Sequence, residues 1–150
     1  LLWVARRGDV EDIRSAVEMG ADVNAKDRSG CTALAQAAAG GLIDVVRFLV
    51  RECEADVNAS NNWGVTALAG AAAYGHLDVV RYLAANDEVD ANMANNWGDT
   101  ALMEAAANGH VNFARYLVDS GVDAHFSDCC GATVLMRAAA EGRVEVVRNL

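Results

Sequence analysis

Short sequence motifs recur along this chain of 150 residues at intervals of 33 or 34 residues. Thr-Ala-Leu, or Thr-Val-Leu in the last copy, begins at Thr32, Thr66, Thr100 and Thr133. A glycine precedes each threonine by two residues, and an alanine triplet follows it. A further apolar segment ends in arginine at Arg47, Arg81, Arg115 and Arg148. Because these features stay in register, the pattern predicts a protein built from stacked copies of one unit.

Each unit is predicted to contain two helices. The threonine can cap the first helix through its hydroxyl, and the alanines favour helix while letting neighbouring helices approach closely. Gly41 and its equivalents in the next three copies predict that the first helix ends in a left-handed turn. Val45, Val46 and Leu49 form an apolar stripe on the second helix. A single helix pair cannot bury that stripe, so the units must stack on one another.

The repeat resembles the ankyrin repeat. Gly64, Thr66, Leu68, Ala71-Ala72 and the run from Gly75 to Val80 match the pattern of that family, and residues 55–59 resemble its closing segment. The resemblance covers the whole chain and implies an all-α solenoid of helix-turn-helix units with β-turn tips. Two family residues are replaced: the proline after threonine by Ala33, Ala67, Ala101 or Val134, and the histidine two positions further on by Ala35, Ala69, Met103 or Met136.

We expect a single domain over residues 1–150, with repeats at about 1–26, 27–60, 61–94, 95–127 and 128–150. The second and third repeats carry one extra residue after the second helix, at Glu52–Glu54 and Asn86–Glu88. The two outer repeats look incomplete, and Val146, Val147 and Leu150 are expected to lie uncovered at the end of the stack. A longer parent chain is therefore expected.

Composition narrows the classes of partner and the cellular location. The formal net charge of −9 disfavours nucleic acid and anionic membrane surfaces as partners, and no apolar run is long enough to span a bilayer. The four cysteines form no CxxC pair, which favours reduced thiols in an intracellular protein. We expect a cytoplasmic monomer and leave a nuclear location open.

No sequence motif predicts catalysis, a cofactor or a metal site. The chain contains no nucleophile–base arrangement, no phosphate-binding glycine loop and no paired carboxylates in a recognisable context. His125, Cys129 and Cys130 lie close in sequence, but adjacent cysteines are poorly oriented for one zinc ion and no fourth ligand is evident. We therefore expect neither enzyme activity nor a bound metal or cofactor in this segment.

The residues that vary while the framework repeats are the candidate binding residues. In proteins that the chain resembles, the turn tips and the ends of the first helices form a concave face that binds partners. The residues predicted for this face are Trp63, Trp97, Tyr74, Asn62, Asn96, Asp99, Asn108, Glu141 and Arg28. Tryptophan is the residue type most enriched at interface hot spots. The alternative is that Trp63 and Trp97 stack on each other or cover the adjoining turn.

Three further sets of residues are given roles. The resemblance implies that Asn24, Asn58 and Asn92 match the asparagine that asparaginyl hydroxylases modify, although an asparagine there can also satisfy local backbone groups. It also implies a structural role for His76 and His110. The arginine at the same place in each second helix stands three residues after Glu11, Asp44, Asp78, Asn112 or Glu145. Where that residue is acidic, the spacing predicts a solvated ion pair of about 0.2–0.5 kcal/mol.

The sequence therefore predicts a protein–protein interaction module, an adaptor or scaffold that binds through its concave face. A partner with a basic or mixed-charge epitope is favoured, because Asp99 and Glu141 make most of that face acidic while Arg6, Arg7 and Arg28 make its N-terminal end basic. The main alternative is a regulatory or targeting array of a larger enzyme or channel whose catalytic part lies outside this segment. A third possibility is a spacer with no partner on that face.

Overall fold

The chain folds into ten helices arranged as five consecutive pairs. The computed structural model describes all 150 residues. The helices are α1 (Leu2–Ala5), α2 (Val10–Glu18), α3 (Ala33–Ala39), α4 (Ile43–Arg51), α5 (Ala67–Tyr74), α6 (Leu77–Ala84), α7 (Ala101–Ala107), α8 (Val111–Asp119), α9 (Val134–Ala140) and α10 (Val144–Asn149). The odd-numbered helices pack side by side in an inner layer, and the even-numbered helices form an outer layer. This is the all-α solenoid that the repeats predict.

The predicted helix boundaries are confirmed by their caps. Oγ1 of Thr32, Thr66, Thr100 and Thr133 accepts a hydrogen bond from the backbone N–H three residues on, at 3.2 to 3.5 Å. Each hydroxyl satisfies one of the free amides at the start of an inner helix. Beyond the inner helices, Gly41 and Gly75 have φ angles of +70° and +83°. Only glycine adopts this left-handed conformation without a steric penalty, so these residues turn the chain from the inner to the outer layer.

Alanine allows the inner helices to pack closely. Ala37, Ala71, Ala105 and Ala138 are fully buried, as are their alanine neighbours at 38, 72 and 106. The apolar stripe of the outer helices closes the core from the other side: Val45, Val46 and Leu49 are at most 1% exposed. One continuous cluster of buried apolar side chains runs through all five helix pairs. Each pair therefore buries its apolar faces against its neighbours, as a stacked repeat requires.

The turn tips are β-turns joined by a row of backbone hydrogen bonds. Within each tip a glycine N–H donates to the carbonyl three residues earlier, at 2.9 Å in the tips ending at Gly30, Gly64, Gly98 and Gly131. Neighbouring tips are joined by Asn62 N–H to the Ser29 carbonyl, Asn96 N–H to the Trp63 carbonyl and Cys129 N–H to the Trp97 carbonyl, at 2.9 to 3.1 Å. The tips contain only isolated antiparallel bridges, such as Ser60 with Thr66, and no strand. Their backbone is nevertheless fixed from one repeat to the next.

His76 and His110 each contact the repeat that precedes their own. Nε2 of His76 lies 2.9 Å from the carbonyl of Ala39, and Nε2 of His110 lies 3.2 Å from the carbonyl of Ala73. In the last repeat Nε of Arg143 donates to the carbonyl of Ala107 at 2.9 Å. These side chains satisfy carbonyls left free at the ends of the preceding inner helices. The structural role implied for His76 and His110 is thus present in the fold, and Arg143 takes it in the fifth repeat.

The ion pairs predicted within the outer helices form at two of the four positions where the earlier residue is acidic. Only Glu11–Arg14, at 3.8 Å, and Glu145–Arg148, at 3.2 Å, form the expected i,i+3 pair. Arg47 instead lies over the ring of Tyr82, 5.8 Å from its centroid, and Arg81 lies over Tyr116 at 5.5 Å. An aromatic side chain in the following repeat competes for these arginines because its ring face attracts a cation. At these two positions the arginine therefore contacts the following repeat rather than an acidic residue of its own helix.

Two details at the repeat ends also differ from expectation. Val146 is 1% exposed and belongs to the core, whereas Val147 and Leu150 are 41% and 36% exposed. Helix α10 thus buries Val146 against the stack and leaves only its outward side uncovered. Glu54, in the predicted one-residue insertion, has a φ angle of +52°. It adopts the left-handed turn that Gly20 and Gly121, both at +87°, make after other outer helices.

No helix in the structure is both long enough and apolar enough to cross a membrane.

Candidate protein-binding surface

Each turn tip is organised by one short polar side chain. Oδ1 of Asn61 accepts hydrogen bonds from the backbone N–H groups of Trp63 and Val65, both at 3.0 Å. Oδ1 of Asn95 makes the same pair of bonds in the next tip, to Trp97 at 2.9 Å and Asp99 at 3.0 Å. Asp27 and Asp128 occupy this position in the second and fifth repeats. The tip backbone is therefore preorganised, and the variable side chains project from a fixed frame.

Trp63 and Trp97 project from two neighbouring tips and do not stack on each other. Trp63 is 47% exposed and Trp97 is 52% exposed. The only close pair of aromatic rings in the chain is His110 with Phe113, whose centroids are 5.2 Å apart. Burying the exposed half of a tryptophan against a partner removes a large apolar area from water. Both side chains are thus available for contact.

Trp63 and Tyr74 line one cleft between the second and third repeats. This cleft has a volume of about 360 Å³, and its walls include Ala35, Ala39 and Gly70 from inner helices α3 and α5. Tyr74, at the end of α5, is 70% exposed. A second cleft adjoins the first, and the two share Trp63, Tyr74, Ala39 and Cys31. The structure therefore brings together a tip residue and an inner-helix residue that the sequence placed on the same face, while Trp97 lines neither cleft.

Several of the polar residues predicted to contact a partner already form hydrogen bonds within the chain. Nδ2 of Asn62 donates to the carbonyl of Arg28 at 3.1 Å, and Nδ2 of Asn96 donates to the carbonyl of Asn62 at 3.0 Å. Nδ2 of Asn108 donates to the carbonyl of Glu104 in its own helix, at 2.9 Å. Arg28 and Glu141 are exposed. Asn62 and Asn96 thus have a second role that the sequence pattern did not indicate, because they tie neighbouring tips together.

Asp99 belongs to a charged cluster rather than to an open acidic surface. It forms a hydrogen-bonded ion pair with Nη2 of Arg137 on inner helix α9. Nε of the same arginine lies 3.3 Å from Oδ2 of Asp128. The hydrogen bond that Arg137 donates to Asp99 raises the pKa of Arg137 above its usual value, and nearby carboxylates add to the effect. The expectation that Asp99 contributes free negative charge therefore needs correction, because Arg137 offsets that charge.

Glu104 is the one carboxylate that lines the first cleft. Burial raises the pKa of its carboxyl group above the usual value, and the charge of Asp99 adds to this effect while Arg137 opposes it. Its Oε1 accepts a hydrogen bond from Nδ2 of Asn95 at 3.4 Å. The ionised carboxylate is thus only partly compensated by groups of the chain.

Sequence reasoning missed three residues at one repeat position. Gln36, Glu104 and Arg137 occupy equivalent places in inner helices α3, α7 and α9, and Gly70 occupies that place in α5. These four residues differ completely, although the alanines around them repeat. That variation within a constant frame was the signal that could have identified them, since it marks a position that faces outward from the inner helices.

The asparagines predicted as hydroxylation sites bridge adjacent repeats. Oδ1 of Asn24 accepts from the backbone N–H of Asp56, and Oδ1 of Asn92 accepts from that of Asp123, at 2.9 and 3.0 Å. Oδ1 of Asn58 accepts from the N–H of Asp90 at 2.8 Å, while its Nδ2 donates to the carbonyl of Glu88 at 2.7 Å. Their principal contacts therefore lie in the next repeat, not in local backbone groups as the alternative supposed. Hydroxylation itself stays a prediction.

No metal-binding cluster of three or more His, Cys, Asp or Glu side chains occurs in the structure. The sulfurs of Cys129 and Cys130 lie 3.8 Å apart in the exposed tip of the fifth repeat, and all four cysteines are free.

Comparison with known proteins agrees with the repeat architecture. The family model described as ankyrin repeats (3 copies) matches residues 1–95 and 85–150. A 54-residue segment is 44% identical to the liver isoform of glutaminase, a mitochondrial protein of Rattus norvegicus. That segment is 36% of this chain and 9% of the glutaminase, so the chain corresponds to a small part of that relative. Ankyrin repeats are protein-interaction modules and are generally not catalytic. With a match that extends from the first residue to the last and five stacked helix pairs, the chain belongs to the ankyrin-repeat family.

Proposed function

We propose that this array binds a partner protein through the surface formed by its turn tips and inner helices, hereafter the concave surface. The observation that carries the proposal is the pair of half-exposed tryptophans, Trp63 and Trp97, on adjacent tips. An isolated exposed apolar residue is ordinary, but two half-exposed tryptophans on adjacent tips, one of them beside an open cleft, are typical of an interface. The chain thus offers a partner a large apolar contact area on a fixed backbone.

Preorganisation supports this proposal. The tip backbones are joined from repeat to repeat and held internally by Asn61 and Asn95. A surface that is already rigid loses little conformational entropy on binding, so more of its contact energy contributes to affinity. Trp63, Trp97 and Tyr74 are the proposed anchors of the interface. Arg28, Asn62, Asn96, Asp99, Asn108 and Glu141 surround them as polar contacts, with part of their hydrogen-bonding capacity already used.

A partner with a basic or mixed-charge epitope fits this surface best. The chain carries a net charge of −9, and Glu104 lies within the cleft beside Trp63. Opposite charge on the partner accelerates association, and added salt slows it. We further propose an intracellular array that acts as a monomer and does not bind nucleic acid or membranes. The free thiols and acidic composition support this part of the proposal.

Capture of a partner tests the binding function. The chain is immobilised and exposed to lysate of its native source in parallel with the Trp63→Ala/Trp97→Ala variant, after both are shown to have the same helical circular dichroism. A protein retained by the parent and lost by the folded variant is the expected result. Equal retention by both, or retention by neither, contradicts binding through the tryptophans.

The glutaminase relative favours a second candidate, an array attached to a larger enzyme. The matched segment lies within a protein named as an enzyme, and most of that protein has no counterpart here. In this case the array would regulate or target a catalytic part outside these residues. An antibody against the array, used on native extract, distinguishes the two. A single species much larger than a 150-residue chain favours the attached array, whereas a species of that size favours the free-standing adaptor.

A further inference from the structure

The cleft between the second and third repeats has an unusual combination of walls. Its floor is formed by small residues, including Ala35, Ala39 and Gly70, and its opening is flanked by Trp63 and Tyr74. Gly70 leaves open space where other residues would place a side chain, because a Cβ there would meet only Cβ of Ala39, at 3.7 Å. The result is an open cleft with a volume of about 360 Å³.

Glu104 and Gln36, in this cleft and the adjoining one, have hydrogen-bond acceptors that lack a full set of donors. The carboxylate of Glu104 lines the cleft and has one hydrogen bond, a long one of 3.4 Å from Asn95. Gln36 lines the adjoining cleft, where its Nε2 donates to Asp27 at 2.8 Å. Oε1 of the same Gln36 is buried and has no hydrogen-bond partner. Buried acceptors without donors are costly, so a ligand that supplies donors gains more here than on open surface.

Charge favours a cation at this end of the cleft. Asp99, Glu104 and Asp128 surround the single guanidinium of Arg137, which is paired with the two aspartates. Three carboxylates near one cation leave a net negative charge. Burial and the charge of Asp99 both raise the pKa of Glu104, Arg137 lowers it, and the carboxylate has one long hydrogen bond, from Asn95 at 3.4 Å. A positive group placed against Glu104 would reduce this electrostatic cost.

We propose that this cleft receives an arginine side chain of the partner protein, with the guanidinium against the carboxylate of Glu104 and the methylene groups against the alanine floor. The proposal rests on the proposed function, since it names the chemistry that the concave surface recognises. A purely apolar side chain would leave the carboxylate of Glu104 with only its long hydrogen bond from Asn95. Arginine fits better than lysine because its guanidinium is more weakly hydrated, stacks on aromatic rings such as Trp63 and Tyr74, and offers five donors.

The test compares arginine with its neutral isostere in short peptides. The 150-residue chain, labelled with ¹⁵N, is titrated with acetyl-Gly-Gly-Arg-Gly-Gly-amide, with the same peptide containing citrulline, and with its lysine analogue. Citrulline keeps the shape and most donors of arginine and lacks the charge. We expect the arginine peptide to shift the indole signal of Trp63 and the amide signals of Gly70 and Glu104 in a saturable way. The signals of Trp3 should stay unchanged.

Two variants locate the binding. Glu104→Gln keeps the acceptor for Asn95 and removes the charge, and it should weaken binding of the arginine peptide about tenfold, a loss equivalent to about 1.4 kcal/mol. Gly70→Leu fills the cleft and should abolish the shift at Trp63. Leucine is a good helix former, and circular dichroism confirms that the variant is folded. If Gly70→Leu does not fold, the comparison of arginine-peptide binding by the parent and by Glu104→Gln decides.

Several results would overturn the proposal. Equal binding of the arginine and citrulline peptides would show that charge does not matter, and equal binding of the lysine peptide would remove the preference for guanidinium. Unchanged arginine binding in Glu104→Gln would place the site elsewhere. The proposed function can survive these results: a partner that is lost on Trp63→Ala/Trp97→Ala but retained by Glu104→Gln and Gly70→Leu still binds the concave surface, without an arginine in this cleft.

Discussion

The backbone carbonyl of Trp63 accepts a hydrogen bond from the backbone N–H of Asn96, at a distance of 2.9 Å. This bond joins the tip of one repeat to the tip of the next. It places the two tryptophan-bearing turns in a fixed relation that does not depend on their indole rings. Substitution of the rings therefore alters the surface of the array and leaves the frame that supports it intact.

The contact of His76 with the preceding repeat predicts a stability effect. His76→Ala leaves the carbonyl of Ala39 without its partner at 2.9 Å. Loss of one hydrogen bond to a partly buried group typically costs about 1–2 kcal/mol. We expect a lower urea midpoint followed by circular dichroism. His125→Ala is the matched control, because His125 is exposed and its side chain makes no hydrogen bond, and an equal loss in both variants would contradict the role given to His76.

The open space at Gly70 predicts a stabilising substitution. Gly70 lies within helix α5, and a Cβ there meets nothing closer than 3.7 Å. Gly70→Ala should raise the free energy of unfolding by about 0.5–1 kcal/mol, since alanine favours the helix and restricts the unfolded chain. Gly75→Ala should do the opposite, because Gly75 has a φ of +83° and a Cβ there would lie 2.8 Å from Cε1 of His110. Thermal unfolding measures both, and a lower midpoint for Gly70→Ala would contradict the packing described.

Asp128, in the tip of the fifth repeat, predicts a pH-dependent difference in stability between the parent and the Asp128→Asn variant. Hydrogen bonds to Asp128, chiefly from the N–H of Ala132 and also from that of Cys130, outweigh partial desolvation and lower its pKa below the usual 3.8; Arg137 contributes. A lowered pKa adds stability that is fully present above the usual value and is lost as the pH falls through the folded-state value. Asp128→Asn retains an acceptor for the turn, as Asn61 and Asn95 do, and removes the charge. The variant should be less stable than the parent at neutral pH, and the difference should shrink in acid. The urea unfolding midpoints of the parent and the variant, measured at neutral and at acidic pH, provide the measurement. A difference in midpoint that does not depend on pH would contradict the role given to the Asp128 carboxylate.

The asparagine position predicts a site-specific modification. If Asn24, Asn58 and Asn92 are hydroxylase substrates, peptides that contain them should carry the added mass of one oxygen atom when the protein is isolated from its native source. The peptide that contains His125, which occupies the same position in the fourth repeat, is the internal control and should be unshifted. Mass spectrometry of the native protein decides, and an unshifted Asn58 peptide counts against the modification.

The sequence predicts most of the fold because the repeat is enforced by local chemistry. Threonine caps, alanine helices and left-handed glycines act within a few residues, so each can be recognised without knowing the tertiary structure. The contacts between repeats are harder to predict. Asn62 and Asn96 look like free polar residues in the sequence, and only the stacking distance reveals that their amides reach the preceding tip.

The candidate surface could be predicted only in outline. Variable residues identify the face, and Trp63 and Tyr74 do lie on one cleft. The pairing of Asp99 with Arg137 joins residues 38 positions apart, so no local pattern indicates it. Two of the predicted ion pairs are missing for a similar reason: the ring of Tyr82 in the following repeat attracts Arg47 away from its predicted acidic partner, and the ring of Tyr116 attracts Arg81 in the same way.

The most direct test of binding through the concave surface compares two double variants of the array against the captured partner. Trp63→Ala/Trp97→Ala removes two aromatic side chains from the concave surface, and Tyr82→Ala/Tyr116→Ala removes two from the outer helices. Isothermal titration should show at least about a hundredfold loss of affinity for the first, equivalent to about 2.7 kcal/mol or more. The second should bind within about threefold of the parent, a difference below about 1 kcal/mol. Equal losses in the two variants, or a larger loss on the outer helices, would contradict a partner held by the concave surface.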